Sequence, residues 1–175
     1  DKTIKSLSES KKINFTSDEN FLGKADIVIC CLPTPIKKNK APDMTYIKDF
    51  SFLIKKSIRI GQLIILESTT YPGTTENYIV SVCKKKKLEI GKDVFVCYSP
   101  EREDPGNKKF SLSNTPKIVS GYTKKCLFIS KTLYSKISSQ IIEVKNLRTA
   151  EAVKIYENIF RSINISLVNE MHIIL

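Results

Sequence analysis

Polar side chains that could take part in catalysis cluster in three segments, each of which directly follows an apolar run. The segments are "CLPTPIKKNKAPD" (31–43), "ESTTYPGTTE" (67–76) and "YSPEREDPGN" (98–107). The third segment places Glu101, Glu103 and Asp104 within four residues of a chain whose formal net charge is +11. Hydroxyl groups and free backbone amides can bind phosphate, ribose or a carboxamide, and a carboxylate can act as a general base. These residue types favour a binding or catalytic site over an ordinary surface turn.

The elements that must position these segments alternate between strands and helices. Short continuous apolar runs predict strands at 25–31, 62–68, 94–99, 117–121 and 140–144. A helical period predicts helices at 45–60, 74–88 and 123–137. This alternation predicts a parallel α/β sheet with right-handed crossovers. Because ligands bind at the carboxyl ends of parallel strands, the three polar segments are expected at one edge of the sheet.

A long helix is predicted from about Leu147 to the last residue. Apolar residues recur there at spacings of three or four, and no Gly or Pro interrupts the 29 residues. A helix of that length spans roughly 43 Å. Its apolar face is too large to meet water, so we expect it to pack against a surface that this chain does not contain.

Composition excludes several classes of protein. Of the 29 basic residues only four are arginines, which argues against a nucleic-acid reader and favours solvated lysines, although a phosphate-bearing ligand stays open. No apolar run approaches the ~20 residues of a membrane span. Five cysteines without a C-x-x-C pair, and a single histidine (His172, expected to be structural), predict reduced thiols in a cytoplasmic protein and no metal site.

Five segments, in order, resemble the UDP-glucose/GDP-mannose dehydrogenase family. They are "ADIVICCLPTP", "ILESTTYPGTTE", "YSPEREDPGN", "PKIVSG" and "AEAVKIYENIFRSINISLVNE". The resemblance runs from about residue 13 to 175, and the second and third segments are most similar to the members that oxidise UDP-N-acetylglucosamine. It implies an enzyme that converts the C6 alcohol of a UDP-sugar to a carboxylate for surface polysaccharides. Two hydrides pass to NAD, through a thiohemiacetal and a thioester on a cysteine.

The resemblance also implies a division of the chain. Residues 1–145 would form an incomplete Rossmann-like NAD-binding domain with a parallel sheet, and residues 146–175 the start of a central helical domain. That second domain dimerises in the family, so the long helix is expected to form a homodimer or higher homo-oligomer.

Site residues follow by position from the resemblance. Glu101 matches the glutamate that orders the hydrolytic water, and Lys154 and Asn158 match the helix motif A-E-x-x-K-x-x-x-N. The lysine would stabilise an oxyanion, and the spacing of four puts both side chains on one helix face. Arg102 and Glu103 are expected at the substrate. The NAD site would be lined by Cys31, Leu32, Pro33, Thr34, Pro35, Ser68, Thr69 and Thr70, with Thr69 also near the chemistry, although a hydroxyl that caps a turn is the alternative for Thr69.

The sequence departs from the family in three respects. No G-x-G-x-x-G occurs, and none of the five cysteines stands at the position of the nucleophile. The family's next acidic position falls on Pro105, so Glu103 and Asp104 are either loop charges or substrate contacts. We therefore expect an internal fragment that is inactive alone. A non-catalytic binding or oligomerisation module is the alternative, and UDP-glucose, UDP-N-acetylmannosamine and GDP-mannose are alternative substrates.

Overall fold

The computed structural model describes residues 2–10, 12–101 and 115–175 of the chain. Within these residues the strands are β1 (Ile27–Cys30), β2 (Leu63–Leu66), β3 (Phe95–Tyr98), β4 (Lys117–Gly121) and β5 (Ile141–Glu143). The α-helices are α1 (Lys2–Glu9), α2 (Thr45–Ser57), α3 (Ser81–Lys85), α4 (Lys124–Tyr134) and α5 (Leu147–Ile174). A 3-10 helix covers Glu19–Gly23, and a π-helical turn at Glu76–Val80 leads into α3. Each of the five strands predicted from the sequence is confirmed.

The five strands form one sheet in the order β1-β2-β3-β4-β5. The pairs β1–β2, β2–β3 and β4–β5 are parallel, whereas β3 and β4 are antiparallel. The Rossmann-like α/β fold is confirmed, but the prediction of a wholly parallel sheet was wrong at this one pair. A parallel neighbour needs a crossover, usually a helix, and the sequence of residues 99–116 has no helical period. The first residue of β4, Lys117, consequently lies at the edge where β1, β2 and β3 end.

Apolar residues pack on both faces of the sheet, as the continuous apolar runs predicted. One face packs Ile64, Val96 and Tyr98 against α2, α3 and the start of α5. The other packs Leu63, Ile65, Cys97 and Val119 against α4. All four residues of β2 and all five residues of β4 are buried.

Helix α5 confirms the predicted long helix and runs unbroken through Asn158. Asn146 caps its amino terminus by accepting a hydrogen bond from the Thr149 amide at 2.8 Å. Leu147, Ala150 and Glu151 are buried, whereas every residue from Ile159 onward is exposed. The amino-terminal turns of α5 thus pack against the rest of the chain, whereas residues 159–175 are exposed. In the part of the chain that the structure describes, no helix is both long and apolar enough to cross a membrane.

Candidate functional site

The polar segments after β1 and β2, and the described start of the third segment (98–101), lie at one edge of the sheet, as predicted. Hydrogen bonds join the first two. The Leu32 amide donates to Ser68 Oγ at 2.9 Å, Ser68 Oγ donates to the Cys30 carbonyl at 3.3 Å, and Thr34 Oγ1 donates to the Thr69 carbonyl at 2.7 Å. The Ser68 hydroxyl and the Leu32 amide therefore hold the two loops together. Leu32 and Ser68 were both predicted to line the cofactor site, and that role stays a prediction.

A cavity of about 210 Å³ lies between these loops and α5. Its walls are mostly apolar and are formed by Thr34, Ile36, Pro42, Met44, Thr69, Thr70, Tyr71 and Ile155. The Thr70 hydroxyl is buried beside the Tyr98 side chain. Burial raises the pKa of Tyr98, and a hydrogen bond with Thr70 opposes this. The cavity thus brings together three of the predicted cofactor residues, Thr34, Thr69 and Thr70.

Cys31, another predicted cofactor residue, carries a neutral thiol. Burial, and then the charge of Glu67, raises the pKa of Cys31 to about 12. Its Sγ donates to Glu67 Oε2 at 3.5 Å. A thiol with this pKa stays protonated near neutral pH and is a poor nucleophile. The Cys31 thiol is therefore not activated for nucleophilic attack in this geometry.

Helix α5 carries Lys154 and Asn158 on one face, next to Ile155 of the cavity wall, and both side chains are half-buried. Glu151, on the same helix, is fully buried and fastens α5 to the segment after β2. Its carboxylate accepts hydrogen bonds from the Gly73 amide and from the amide and hydroxyl of Thr75, the latter two at 2.7 Å. Burial raises the pKa of Glu151, although the hydrogen bonds from Thr75 and Gly73 oppose this.

The contact at Gly73 depends on an unusual backbone conformation. Gly73 has a φ of +95°, which glycine adopts without strain. The glycine of "YPGTT" is therefore part of the joint between α5 and the loop of Thr69 and Thr70. Sequence reasoning singled out neither Gly73 nor Glu151, although Glu151 stands in the A-E-x-x-K motif.

Glu101 belongs to a polar cluster on the α4 side of the sheet edge. Lys117 Nζ lies 2.9 Å from Glu67 Oε1 and 3.5 Å from Glu101 Oε2. The Tyr134 hydroxyl donates to Glu67 Oε1, and the Lys117 ammonium lies 5.0 Å from the centre of the Tyr134 ring. Burial, and then the charge of Glu67, raises the pKa of Tyr134. We name Glu67, Glu101, Lys117 and Tyr134 the edge cluster.

Sequence reasoning found Glu101 but missed the other three residues of the edge cluster. Lysine as the first residue of an apolar strand, and glutamate directly after another, were the signals that could have suggested a buried ion pair. Arg102, Glu103, Asp104 and Pro105 lie outside the described residues, and their roles stay predictions. Among the residues that are described, no group of three or more His, Cys, Asp or Glu side chains could hold a metal ion.

This chain is similar to known proteins over most of its length. The model for the UDP-glucose/GDP-mannose dehydrogenase family, NAD binding domain, matches residues 1–138. Protein CapL of Staphylococcus aureus is 39% identical and covers 95% of this chain, and a UDP-N-acetyl-D-glucosamine 6-dehydrogenase of Pseudomonas aeruginosa is 38% identical and covers 96%. The solved structure of the UDP-D-ManNAc dehydrogenase from Pyrococcus horikoshii matches with a TM-score of 0.89 at 32% identity and covers 97% of this chain. In each case this chain spans 40% of the length of the relative.

Proposed function

Because the chain belongs to the UDP-glucose/GDP-mannose dehydrogenase family, we propose that it forms the NAD-binding part of a UDP-N-acetylglucosamine 6-dehydrogenase. The enzyme would oxidise the C6 alcohol of the sugar to the carboxylate, for use in a surface polysaccharide. The observation that carries this proposal is the match of the family's NAD-binding domain to residues 1–138, and the name of the Pseudomonas aeruginosa relative supports the sugar.

The residues at the cavity fit the nicotinamide end of NAD, the cofactor of this domain. The cavity of about 210 Å³ offers apolar walls to a ring, and Thr69 and Thr70 in its wall carry hydroxyl groups for a polar group on that ring. NAD, when bound, accepts the hydride that leaves C6. Thr69 and Thr70 would orient the ring, and Ile155 and Met44 would exclude water from it.

Lys154 and Asn158 would act on the sugar side of the same site. An ammonium group and an amide that share one helix face can both donate to an oxygen that becomes negative during the reaction. Such a donor typically lowers the barrier by ~3 to 4 kcal/mol. Glu151 supports this role because it fixes the helix of Lys154 to the loop of Thr69 and Thr70.

Glu101 would supply the base for the final hydrolysis. Its side chain is 45% exposed and can reach water, while Lys117 holds one of its carboxylate oxygens. A carboxylate so placed can take a proton from the attacking water. Arg102 and Glu103 would contact the substrate.

We also propose that the enzyme is a homodimer or higher homo-oligomer assembled through α5. The apolar side chains of residues 159–175 are exposed in the single chain, among them Phe160, Ile163 and Leu167. An apolar surface of this extent usually marks an interface. Residues 1–145 would then be the NAD-binding domain and residues 146–175 the first helix of the domain that assembles.

The proposed activity is tested in the complete enzyme, meaning this chain joined to the flanking segments that its longer relatives have. NADH formation is measured with UDP-N-acetylglucosamine, UDP-N-acetylmannosamine, UDP-glucose and GDP-mannose. We expect the highest kcat/KM with UDP-N-acetylglucosamine and two NADH per sugar. A higher value for another sugar would correct the substrate, and no NADH with any of the four would contradict the proposal.

A further inference from the structure

Lys117 is a buried cation that two carboxylates share. Its side chain is 5% exposed, that of Glu67 is 11% exposed and that of Glu101 is 45% exposed. An ammonium group loses its hydration when it is buried, so it is stable there only with a close counter-charge. Glu67 at 2.9 Å supplies that counter-charge, which leaves the contact with Glu101 at 3.5 Å as a second one.

The reversed direction of β4 is what brings Lys117 to Glu101. Cys97 pairs with Gly121 and Tyr98 with Ser120, so the numbers of paired residues sum to 218. The same register, continued past Tyr98, puts residue 117 opposite residue 101. In a parallel strand, the first residue would lie at the other edge of the sheet. The lysine is therefore placed by backbone pairing and does not depend on a flexible surface side chain.

Glu67 is held on both of its carboxylate oxygens. Oε1 accepts from Lys117 and from the Tyr134 hydroxyl, and Oε2 accepts from the Cys31 thiol. The Tyr134 ring also lies under the ammonium group at 5.0 Å, a geometry that favours a cation. Because Glu67 and Tyr134 fix the lysine, Lys117 is a stationary positive charge beside a carboxylate that is still open to water.

We infer that Lys117 is a positioning residue that orients Glu101 and keeps it ionised, so that Glu101 can accept a proton from the hydrolytic water. The inference rests on the proposed function, because it needs Glu101 to act as the base. Glu67 and Tyr134 act one step further away, by holding Lys117.

Removal of the positive charge of Lys117 should change the pH dependence of the hydrolysis rate. Among the described residues, the titratable groups around Lys117 are Glu67 after β2, Glu101 after β3, Cys31 after β1 and Tyr134 on α4. Opposite charges at this range typically lower the pKa of a carboxyl by about one to three units. Loss of the lysine charge should therefore move the acid limb of the hydrolysis rate upward by about one pH unit or more.

The test measures hydrolysis directly in the complete enzyme. The covalent sugar-nucleotide adduct is quenched at intervals and quantified by intact mass spectrometry over a range of pH. Lys117→Met alone would leave Glu67 buried without its cation and could unfold the protein. The decisive variant is therefore the double variant Lys117→Met/Glu67→Gln, which removes both charges and keeps the shapes. Lys117→Arg retains the charge, and Lys131→Met is a matched control, because Lys131 pairs with the exposed Glu143 on the outer side of α4.

We expect the double variant to fold. Compared with Glu67→Gln alone, it should shift the acid limb upward and accumulate adduct at neutral pH, because that comparison removes only the lysine charge. Lys117→Arg should restore most of the wild-type profile, and Lys131→Met should leave it unchanged. If the double variant folds and hydrolyses the adduct with the same pH profile as Glu67→Gln alone, Lys117 is only structural and the inference is wrong. Glu101→Gln distinguishes a failure of the inference about Lys117 from a failure of the proposed role of Glu101. If it is slow while the double variant is normal, only the inference fails, and if it is normal, the proposed role of Glu101 fails as well.

Discussion

The sheet edge and the outer part of α5 differ in how their side chains find partners. At the edge, Glu67, Ser68 and Lys117 each make hydrogen bonds or ion pairs with residues from other elements of the chain. On α5, residues 159–175 are exposed and present large apolar side chains such as Phe160 and Leu167. The polar side chains at the sheet edge find their partners within the chain, whereas the apolar side chains of residues 159–175 need a second surface to pack against.

The two regions are therefore suited to two different tasks, catalysis and assembly. Polar groups that are already paired cost no reorganisation when a substrate arrives, which is what a catalytic site requires. An apolar helix face gains free energy only when another surface covers it. The edge therefore suits chemistry, and the outer part of α5 suits assembly.

The largest effect that would test this division is expected for Glu101→Gln in the complete enzyme. The amide keeps the shape but cannot take a proton from water, and general-base assistance is worth roughly 10² to 10⁴ in rate. Steady-state NADH formation should fall by that factor, while an initial burst of up to two NADH per site remains. Rapid-mixing absorbance and intact mass spectrometry would measure the burst and the adduct.

Glu143→Gln is the matched control for this experiment. Glu143 lies on β5, pairs with Lys131 and is exposed, so its loss should not change turnover. Normal turnover of Glu101→Gln without an adduct would mean that the edge is structural only.

A loss of stability of about 3 kcal/mol is expected for Glu151→Ala. The change leaves the Gly73 amide and the amide and hydroxyl of Thr75 without a partner in a buried place, and each such group costs about 1 to 3 kcal/mol. Urea unfolding followed by circular dichroism would measure the difference in free energy. A loss below about 1 kcal/mol would show that α5 is not fastened to the sheet edge by Glu151.

The difference in the free energy of unfolding between the wild type and Glu151→Ala should depend on pH, and its sign can be stated. Burial raises the pKa of Glu151 above the usual value of 4.5, so the folded state holds its proton to higher pH than the unfolded state. The stabilisation from this group is therefore complete below about pH 4.5 and is lost as pH rises through the folded-state pKa. The stability difference between the wild type and Glu151→Ala should shrink over that range. A difference that grows with pH would mean that the hydrogen bonds outweigh burial.

Phe160→Glu should break the proposed assembly without affecting the edge. A charge in the apolar stripe removes the gain from burying a phenylalanine, about 1.5 to 3 kcal/mol, or roughly ten- to a hundredfold in association. Light scattering of the complete enzyme over a concentration series would measure the mass. Ser162→Glu, a change to an exposed polar residue across the helix from Phe160, is the control and should leave the mass unchanged. Equal masses for Phe160→Glu and the wild type would contradict assembly through this stripe.

The features that could be read from the sequence are those with a local cause. Continuous apolar runs predicted β2 and β3, and an uninterrupted helical period predicted α5, because burial on two faces and the helical repeat both leave local patterns. Strand exits placed Thr69 and Glu101 at one edge for the same reason. The resemblance of five ordered segments then supplied the family, which the match to residues 1–138 confirms.

The features that the sequence did not reveal depend on contacts between distant residues. Helix–strand alternation cannot give the direction of β4, because that direction depends on the path of the connection from β3. Glu67 and Lys117 meet only because β4 is reversed, and no periodicity links them. Glu151 stands in a quoted motif, yet its buried contact with Thr75 follows only from how α5 packs against the segment after β2. The roles of Lys154 and Asn158 stay predictions.

The smallest effect is expected for Arg148→Met, which tests a second link between α5 and the segment after β2. Arg148 Nε and Nη2 both donate to Glu76 Oε2, at 2.9 and 2.7 Å, but the arginine side chain is 65% exposed. Water competes for such a pair, so its loss should cost only about 0.2 to 1 kcal/mol, and less at high salt. Glu151 lies one helical turn from Arg148 and also joins α5 to the segment after β2. The contacts of Arg148 and Glu151 therefore differ mainly in how deeply they are buried. Urea unfolding of both variants at low and high salt would measure it. A loss for Arg148→Met as large as that for Glu151→Ala, and insensitive to salt, would show that the exposed pair fastens the helix and that burial at the edge is not what decides its strength.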